Sequence, residues 1–303
     1  MIGRAVEGRV QPPSTLIGPG DDAALVRAAD GRVAVSADML VQDRHFRLDW
    51  STPRDVGRKA VAQNAADVAA MGARPTAFLV SLGLPPDTSI DVADGISAAI
   101  GEGAEELGAG VVGGDLVQAA QVVISVTVLG DLGGRSPIRR SGARSGDVVA
   151  VAGELGRSAA GLALLLGGSS DFPDLLAAHR VPTPPYSAAW AAADGGAHAM
   201  TDISDGLLAD LGHICDASGV GMSLTRSEMI VSPELVSAAT VLGADYWEWV
   251  LTGGEDHGFA ATFPTDVPLP AGWTAIGAVH DGSGISVDGE TWPGAGGWQS
   301  FSV

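Results

Sequence analysis

The chain has 303 residues, 46% hydrophobic and 17% charged, about twice a single domain of ~150 residues and too apolar for disorder. Its 36 acidic and 17 basic residues leave a net charge of −19, which repels nucleic acid and anionic membranes, because binding there depends on Lys and Arg neutralising phosphate. The longest apolar stretches, residues 122–129 and 159–166, fall far short of the ~20 residues a spanning helix needs. The opening MIGRAVEGRV has no apolar core of the signal-peptide kind. Cys215, the single cysteine, excludes an internal disulfide and any cysteine-built metal centre. A cytoplasmic protein is expected, with neither nucleic acid nor membrane as a partner. Lys59 is the only lysine, so neither a P-loop nor a kinase strand lysine is available. If the chain handles nucleotide phosphates, arginines and metal ions held on carboxylates must neutralise them.

In chain order, residues 32–38 alternate apolar and small side chains and predict a strand. Ser51-Thr52-Pro53 opens a helix, with Thr52 or Ser51 as cap and Pro53 in the first turn; it runs to about Met71 and stops at Gly72. A strand over about 76–84 precedes a helix over about 90–107, ended by Gly108, and further strands follow at 111–112 and 121–130. The Gly-, Ser- and Arg-rich segment 133–146 marks a domain boundary near its middle, giving domains 1–140 and 141–303. Beyond it come a strand at 147–152, a helix near 158–166, and proline-bearing loops around Pro173 and 182–185. Helices are expected near 188–193, 207–217 and 233–242, and strands near 221–225, 258–263 and 274–279. Alternating strands and helices mean an α/β or α+β layered fold rather than a sandwich or a bundle.

Aspartates carry the chemical signal. They fall in Gly20-Asp21-Asp22, at Asp38 ending a strand, at Asp67 in the first helix, and at Asp115 after Gly113-Gly114. Asp202 and Asp205 frame Asp202-Ile203-Ser204-Asp205-Gly206, and Gly254-Glu255-Asp256 follows later. Glycines beside carboxylates let backbone approach a ligand, and hard cations such as Mg²⁺ take carboxylate oxygens, water and substrate phosphates. Each motif alone also reads blandly: GDD as a turn, Asp67 as a solvated helix face, DISDGL as a helix cap, GGD as a strand-end turn. Together and in one order they are more specific.

The series GPGDDAA, SADMLVQDRHF, NAADVAAMGA, GGDL, RSGARSGD, DISDGLLADLGHI and GGEDH resembles the thiamine-monophosphate kinase family. NxxDxAAMGA and DISDGL are similar to motifs of the wider superfamily of AIR synthetase, selenophosphate synthetase and HypE-type proteins, while DRHF and GGED favour the thiamine enzymes. The resemblance implies a two-domain AIR-synthetase-like fold, an N-terminal metal- and ATP-binding domain that pairs across a homodimer, and ATP and thiamine monophosphate as substrates. It implies several Mg²⁺ ions at Asp22, Ser36, Ala37, Asp38, Asp67, Asp115, Asp202 and Asp205, with Ala37 limited to its backbone carbonyl. It places Gly114, Asp115, Arg140 and Ser204 at ATP, and His45, Glu255 and Trp298 at the thiamine phosphate. Asp67, Asp205 and Arg140 would carry catalysis. Another ATP-using enzyme of the superfamily and a non-catalytic acidic metal-binding module are the alternatives.

Elementary chemistry fits that expectation. A phosphate monoester with its second pKa near ~6 is mostly dianionic at neutral pH, so the nucleophile needs no general base. The obstacle is repulsion between two anions, and phosphoryl transfer is mostly positioning and charge neutralisation. The helix opening at Asp205 is expected to present N–H groups to the anions.

Overall fold

The computed structural model describes residues 11–18, 23–293 and 296–297. They fall into two compact units: one runs to Val68 and from Ala73 to Ser136, the other holds Ala69–Gly72 and the chain from Pro137 onward. No helix among the described residues is long and apolar enough to cross a membrane.

In the first unit a short antiparallel pair, β1 (Thr15–Ile17) and β2 (Leu25–Val26), precedes a four-stranded sheet. Its strands are β3 (Ala34–Val41), β4 (Arg74–Leu84), β5 (Gly110–Gln118) and β6 (Val123–Asp131), in the order β3-β6-β4-β5. Only β4 and β5 run parallel, joined through α2 (Ile90–Glu106) as a parallel crossover requires. Helix α1 (Pro53–Ala70) joins β3 to β4. It begins as expected: Thr52 Oγ1 accepts from Asp55 N at 3.2 Å and Asp55 Oδ2 accepts from Thr52 N at 2.8 Å, a reciprocal capping box. α1 is rich in small residues, and a Cβ on Gly57 would lie 2.5 Å from Ile96 O, so α1 and α2 approach closely. Phe78, Ile124, Val126 and Val128 from the sheet and Val61, Ala65, Ile96 and Ile100 from the helices form the core. Burying a Phe- or Ile-sized side chain there contributes ~1.5–3 kcal/mol.

The second unit is built on a seven-stranded sheet of β7 (Val148–Ala152), β8 (Ala199–Asp202), β9 (Gly221–Leu224), β10 (Phe259–Phe263), β11 (Trp273–His280), β12 (Gly284–Val287) and β13 (Glu290–Thr291). The order is β13-β12-β9-β11-β7-β10-β8, antiparallel except for β12 with β9. Helices α3 (Arg157–Leu166), α4 (Pro173–Arg180), α5 (Tyr186–Asp194), α6 (Leu207–Ser218), α7 (Pro233–Leu242) and α8 (Tyr246–Thr252) complete it. α6 lies against β8, β10 and β12, and α3 packs on α4, α7 and α8.

The region around Pro173 is helix α4 rather than the expected loop, with Pro173 in its first turn, where a missing N–H costs nothing. β8 was not foreseen: its four residues are all buried, which erases the alternation that marks a strand. Nor was α8, seven residues rich in aromatics and started by Asp245, whose carboxylate accepts from Trp247 N at 2.9 Å. The two-residue β13 is likewise too short to leave a pattern.

Candidate active site

In the first unit, strand alternation sends Ser36 and Asp38 of β3 to one face and Ala37 to the other. The Ser36 hydroxyl donates to Asp67 Oδ2 at 2.5 Å. Gln63 Nε2 donates to Asp38 Oδ2 at 3.3 Å, and Asp38 N donates to Asn64 Oδ1 at 3.0 Å. Asn64, buried, is held by its own donation to Ala60 O at 2.9 Å. Gln63, Asn64 and Asp67 lie within four positions on α1, one turn of helix. Strand and helix thus bring Ser36, Asp38 and Asp67 together. The N–H of Asp38 points away from β6, so by antiparallel alternation the N–H and C=O of Ala37 face β6, leaving its carbonyl one lone pair beyond the ladder.

Asp115 sits elsewhere. It pairs with Ser81, which pairs with Ser125, which pairs with Met39, a row on the exposed face of the sheet opposite Asp38. Gly114 is required by packing: a Cβ there would lie 1.8 Å from Val80 O. His45 follows β3 in a tight turn. Val41 N donates to His45 Nδ1 at 2.9 Å and His45 N donates to Val41 O at 3.0 Å, while Asp43 takes φ 64° to close the turn. Because Nδ1 accepts, the neutral ring carries its proton on Nε2, which is therefore a donor. Asp22 and Trp298 lie outside the described residues.

In the second unit the chain leaves β8 at the buried Asp202 and enters a loop clamped from two sides. Ile203 N donates to Gly258 O at 2.8 Å, His257 N to Ile203 O at 2.9 Å, and Glu255 N to Ser204 O at 2.8 Å. Glu255 and His257 hold φ of 64° and 50° to keep this pairing, a left-handed backbone that costs ~1–2 kcal/mol for such residues. The Cβ of a residue replacing Gly254 would stand 2.6 Å from Ser204 O. On the other side, Asp210 Oδ2 accepts from the amides of Ser204, Asp205 and Gly206 at 3.0, 3.0 and 3.1 Å. Ala209 N donates to Gly296 O at 3.0 Å. The amides leading into α6, those of Ser204, Asp205 and Gly206, are therefore taken by the protein's own Asp210, as that of Ala209 is by Gly296 O.

Around the loop, His257 Nδ1 lies 3.3 Å from Asp202 Oδ2, and Arg140 Nε donates to Thr201 Oγ1 at 3.2 Å. Ligand atoms of Asp205, Asp210 and His213 lie within 4.8 Å of one another. Burial pushes the Asp210 carboxyl up to about 7, with Asp202 adding repulsion, and desolvation raises Asp205 as well. Asp256 turns away from this loop. Its Oδ2 and Oδ1 accept from Gly156 N at 2.5 Å and Ser158 N at 2.8 Å, capping α3, and desolvation pushes it up to about 7. Reading the sequence missed Asn64, Asp210, His213 and His257. Asn64 and Asp67 are i, i+3 on one helix, and Asp210 sits one turn into α6, the spacing signals that could have found them.

The oxygen donors of Ser36, Asp38 and Asp67 in one unit, and of Asp202 and Asp205 in the other, are the hard ligand type that Mg²⁺ takes. Residues 20–132 match the AIR synthase related protein N-terminal domain, and residues 144–258 the corresponding C-terminal domain. Thiamine-monophosphate kinase of Mycobacterium tuberculosis (strain H37Rv) is 58% identical over 99% of this chain and 90% of its own length. That of Corynebacterium glutamicum is 42% identical over 93% and 88%. The solved structure of AaThiL complexed with AMPPCP and TMP superposes with a TM-score of 0.84 at 33% identity, over 93% of this chain and 91% of that one. Hydrogenase maturation protein HypE in complex with ATP, at 20% identity, has a TM-score of 0.71 over 86% and 80% and shares the fold. The chain belongs to the thiamine-monophosphate kinase family of AIR synthase related proteins.

Proposed function

We propose that this protein transfers the γ-phosphoryl group of ATP directly to the phosphate of thiamine monophosphate, giving thiamine diphosphate and ADP. The observation that carries the reading is the match over 93% of the chain to AaThiL complexed with AMPPCP and TMP. The 58% identity to the mycobacterial kinase supports it.

The acceptor phosphate is its own nucleophile, so the residues need only hold two anions in line and offset their charge. Ser36, Ala37, Asp38, Asp67 and Asp115 in the first unit, Asp202 and Asp205 in the second, and Asp22 are the residues proposed to hold Mg²⁺. When bound, Mg²⁺ would supply positive charge that offsets the charge of the phosphates. Gly114, Asp115, Ser204 and Arg140 are assigned to ATP. Thr201 fixes Arg140 at Nε, which orients the guanidinium fork for bidentate phosphate contact. His45 is assigned to the acceptor, where its Nε2–H donates to a phosphate oxygen, and Glu255 accepts from a donor on the thiamine. Trp298 is assigned to the face of the cationic thiazolium, a contact of ~0.5–2 kcal/mol.

The same reading has the first unit pairing with a second copy. Val35, Met39 and Val117 are 60%, 52% and 54% exposed on the outer face of its sheet, apolar side chains that water does not favour. A cytoplasmic location completes it, on the acidic surface and single cysteine. The test is ADP release with thiamine monophosphate against thiamine and other phosphate monoesters. Turnover confined to thiamine monophosphate supports the reading, and equal turnover with another monoester overturns the substrate assignment.

A further inference from the structure

The geometry points to Asp210 as a positioning residue for this phosphoryl transfer, an inference that rests on the function proposed above. Its single oxygen Oδ2 gathers three consecutive amides, those of Ser204, Asp205 and Gly206, at 3.0, 3.0 and 3.1 Å. A helix cap ordinarily precedes its helix and satisfies one or two amides. Asp210 instead lies inside α6, reaches back over one turn, and is only 1% exposed. The N-cap position itself is Gly206, which has no side chain to offer.

The carbonyls of the same loop are taken by a second group. Ile203 O and Ser204 O accept from His257 N and Glu255 N. With amides tied on one side and carbonyls on the other, the peptide planes between Asp202 and Gly206 cannot rotate without breaking several bonds. The directions in which Ser204 and Asp205 present their side chains are thereby set. The loop offers side-chain oxygens rather than amides, and Asp210 is the group that makes this so.

Two substitutions separate position from charge. Asp210→Asn keeps an acceptor oxygen in place and removes the charge. Asp210→Glu keeps the charge and moves the oxygen by one methylene. Displacement of a site by ~1 Å can cost 10²-fold in rate, so Asp210→Glu should lower kcat about 30- to 100-fold, while Asp210→Asn should stay within about threefold. Hydrogen exchange at the amides of 204, 205 and 206 should accelerate in the Glu variant and remain near wild type in the Asn variant. The half-saturating Mg²⁺ concentration should follow the same order.

The reverse ranking, with Glu active and Asn inactive while exchange is unchanged, would make Asp210 a cation ligand and overturn the proposal. Equal losses in both variants, tracking their melting temperatures, would make it a fold residue only and also overturn it. If the wild type does not turn over thiamine monophosphate, the substrate reading alone fails. The ranking is then read in the affinity for Mg²⁺ with ATP and in amide exchange, where the same order supports the proposal and the reverse overturns it.

Discussion

The two acidic regions solve one problem by different means. In the first unit, Ser36, Asp38 and Asp67 stand on a strand and a helix, and regular backbone hydrogen bonding holds them with help from Gln63 and Asn64. In the second, Ser204 and Asp205 stand on a loop that has no ladder of its own. It is fixed by the buried carboxylate of Asp210 and by a turn with left-handed Glu255 and His257. Regular elements place a side chain without strain. A loop placed as firmly needs a buried carboxyl group and unfavourable dihedrals, whose cost the rest of the unit offsets. The first region should therefore be sensitive to the identity of its oxygen-bearing side chains, and the second also to the residues behind them.

The largest effect is expected at Asp67. Asp67→Asn keeps the shape and an oxygen for the Ser36 hydroxyl, yet removes the negative charge of the proposed ligand. Turnover should fall at least ~100-fold, and the free energy of unfolding should stay within the ~0.5 kcal/mol typical of a substitution without structural consequence. Near-normal turnover in a folded variant would remove Asp67 from the site and leave the first region without its central carboxylate.

Next in size are the proposed substrate contacts. Arg140→Ala should weaken ATP binding, while His45→Ala and Glu255→Gln should weaken thiamine monophosphate binding, each by about tenfold to a hundredfold. These are the sizes expected when a charge-assisted contact of ~1.5–3 kcal/mol is lost. Calorimetry with each ligand separates the two groups. An Arg140→Ala variant that binds ATP normally would return that side chain to its structural partner, Thr201.

How far the sequence reveals these regions follows from the same contrast. The 53–70 helix, its Thr52 cap and its stop at Gly72 are legible because capping chemistry and glycine's left-handed freedom are local. Ser36, Asp38 and Asp67 are legible as a group only through motif order, since nothing local says that a strand and a helix meet there. Two things were not legible. The amides of Ser204, Asp205 and Gly206 leading into α6 are open when read along the chain, and the backward reach of Asp210 closes them. Asp115 shares a motif series with Asp38, but register places the two on opposite faces of the sheet. Short buried strands such as β8 carry no alternation, so the segment that delivers Asp202 was invisible as a strand.

A smaller effect comes from cations. Carboxylates a few ångströms apart repel, so a cation that ligates them should stabilise the native state by linkage. Mg²⁺ should raise the melting temperature by several degrees, and Mg²⁺ with ATP by more, where NaCl at matched ionic strength does not. Equal stabilisation by both salts would mean screening of the −19 charge rather than ligation. Asp67→Asn should reduce the Mg²⁺-specific part and leave the NaCl effect intact.

An effect on stability alone is expected at Asp256, which the sequence placed beside Glu255 but the fold uses to cap α3. Desolvation raises its carboxyl from 3.8 to about 7 in the folded protein, so the native state holds this proton more tightly than the unfolded chain. Its contribution to stability is fully present below pH ~4 and is lost as pH rises through about 7. The slope over that window is about 1.4 kcal/mol per pH unit. Asn matches the neutral acid in charge, but its Nδ2 cannot accept the second of the two amides that Asp256 caps. Asp256→Asn should therefore be less stable than the wild type near pH 5, by an amount that shrinks as pH rises to 8. Asp210 contributes a slope of the same sign in both proteins and cancels from the comparison. Melting temperatures at half-unit steps from pH 5 to pH 8 measure the difference. A constant gap across the series would show that Asp256 stays ionised in the fold, with the amides of Gly156 and Ser158 outweighing its burial.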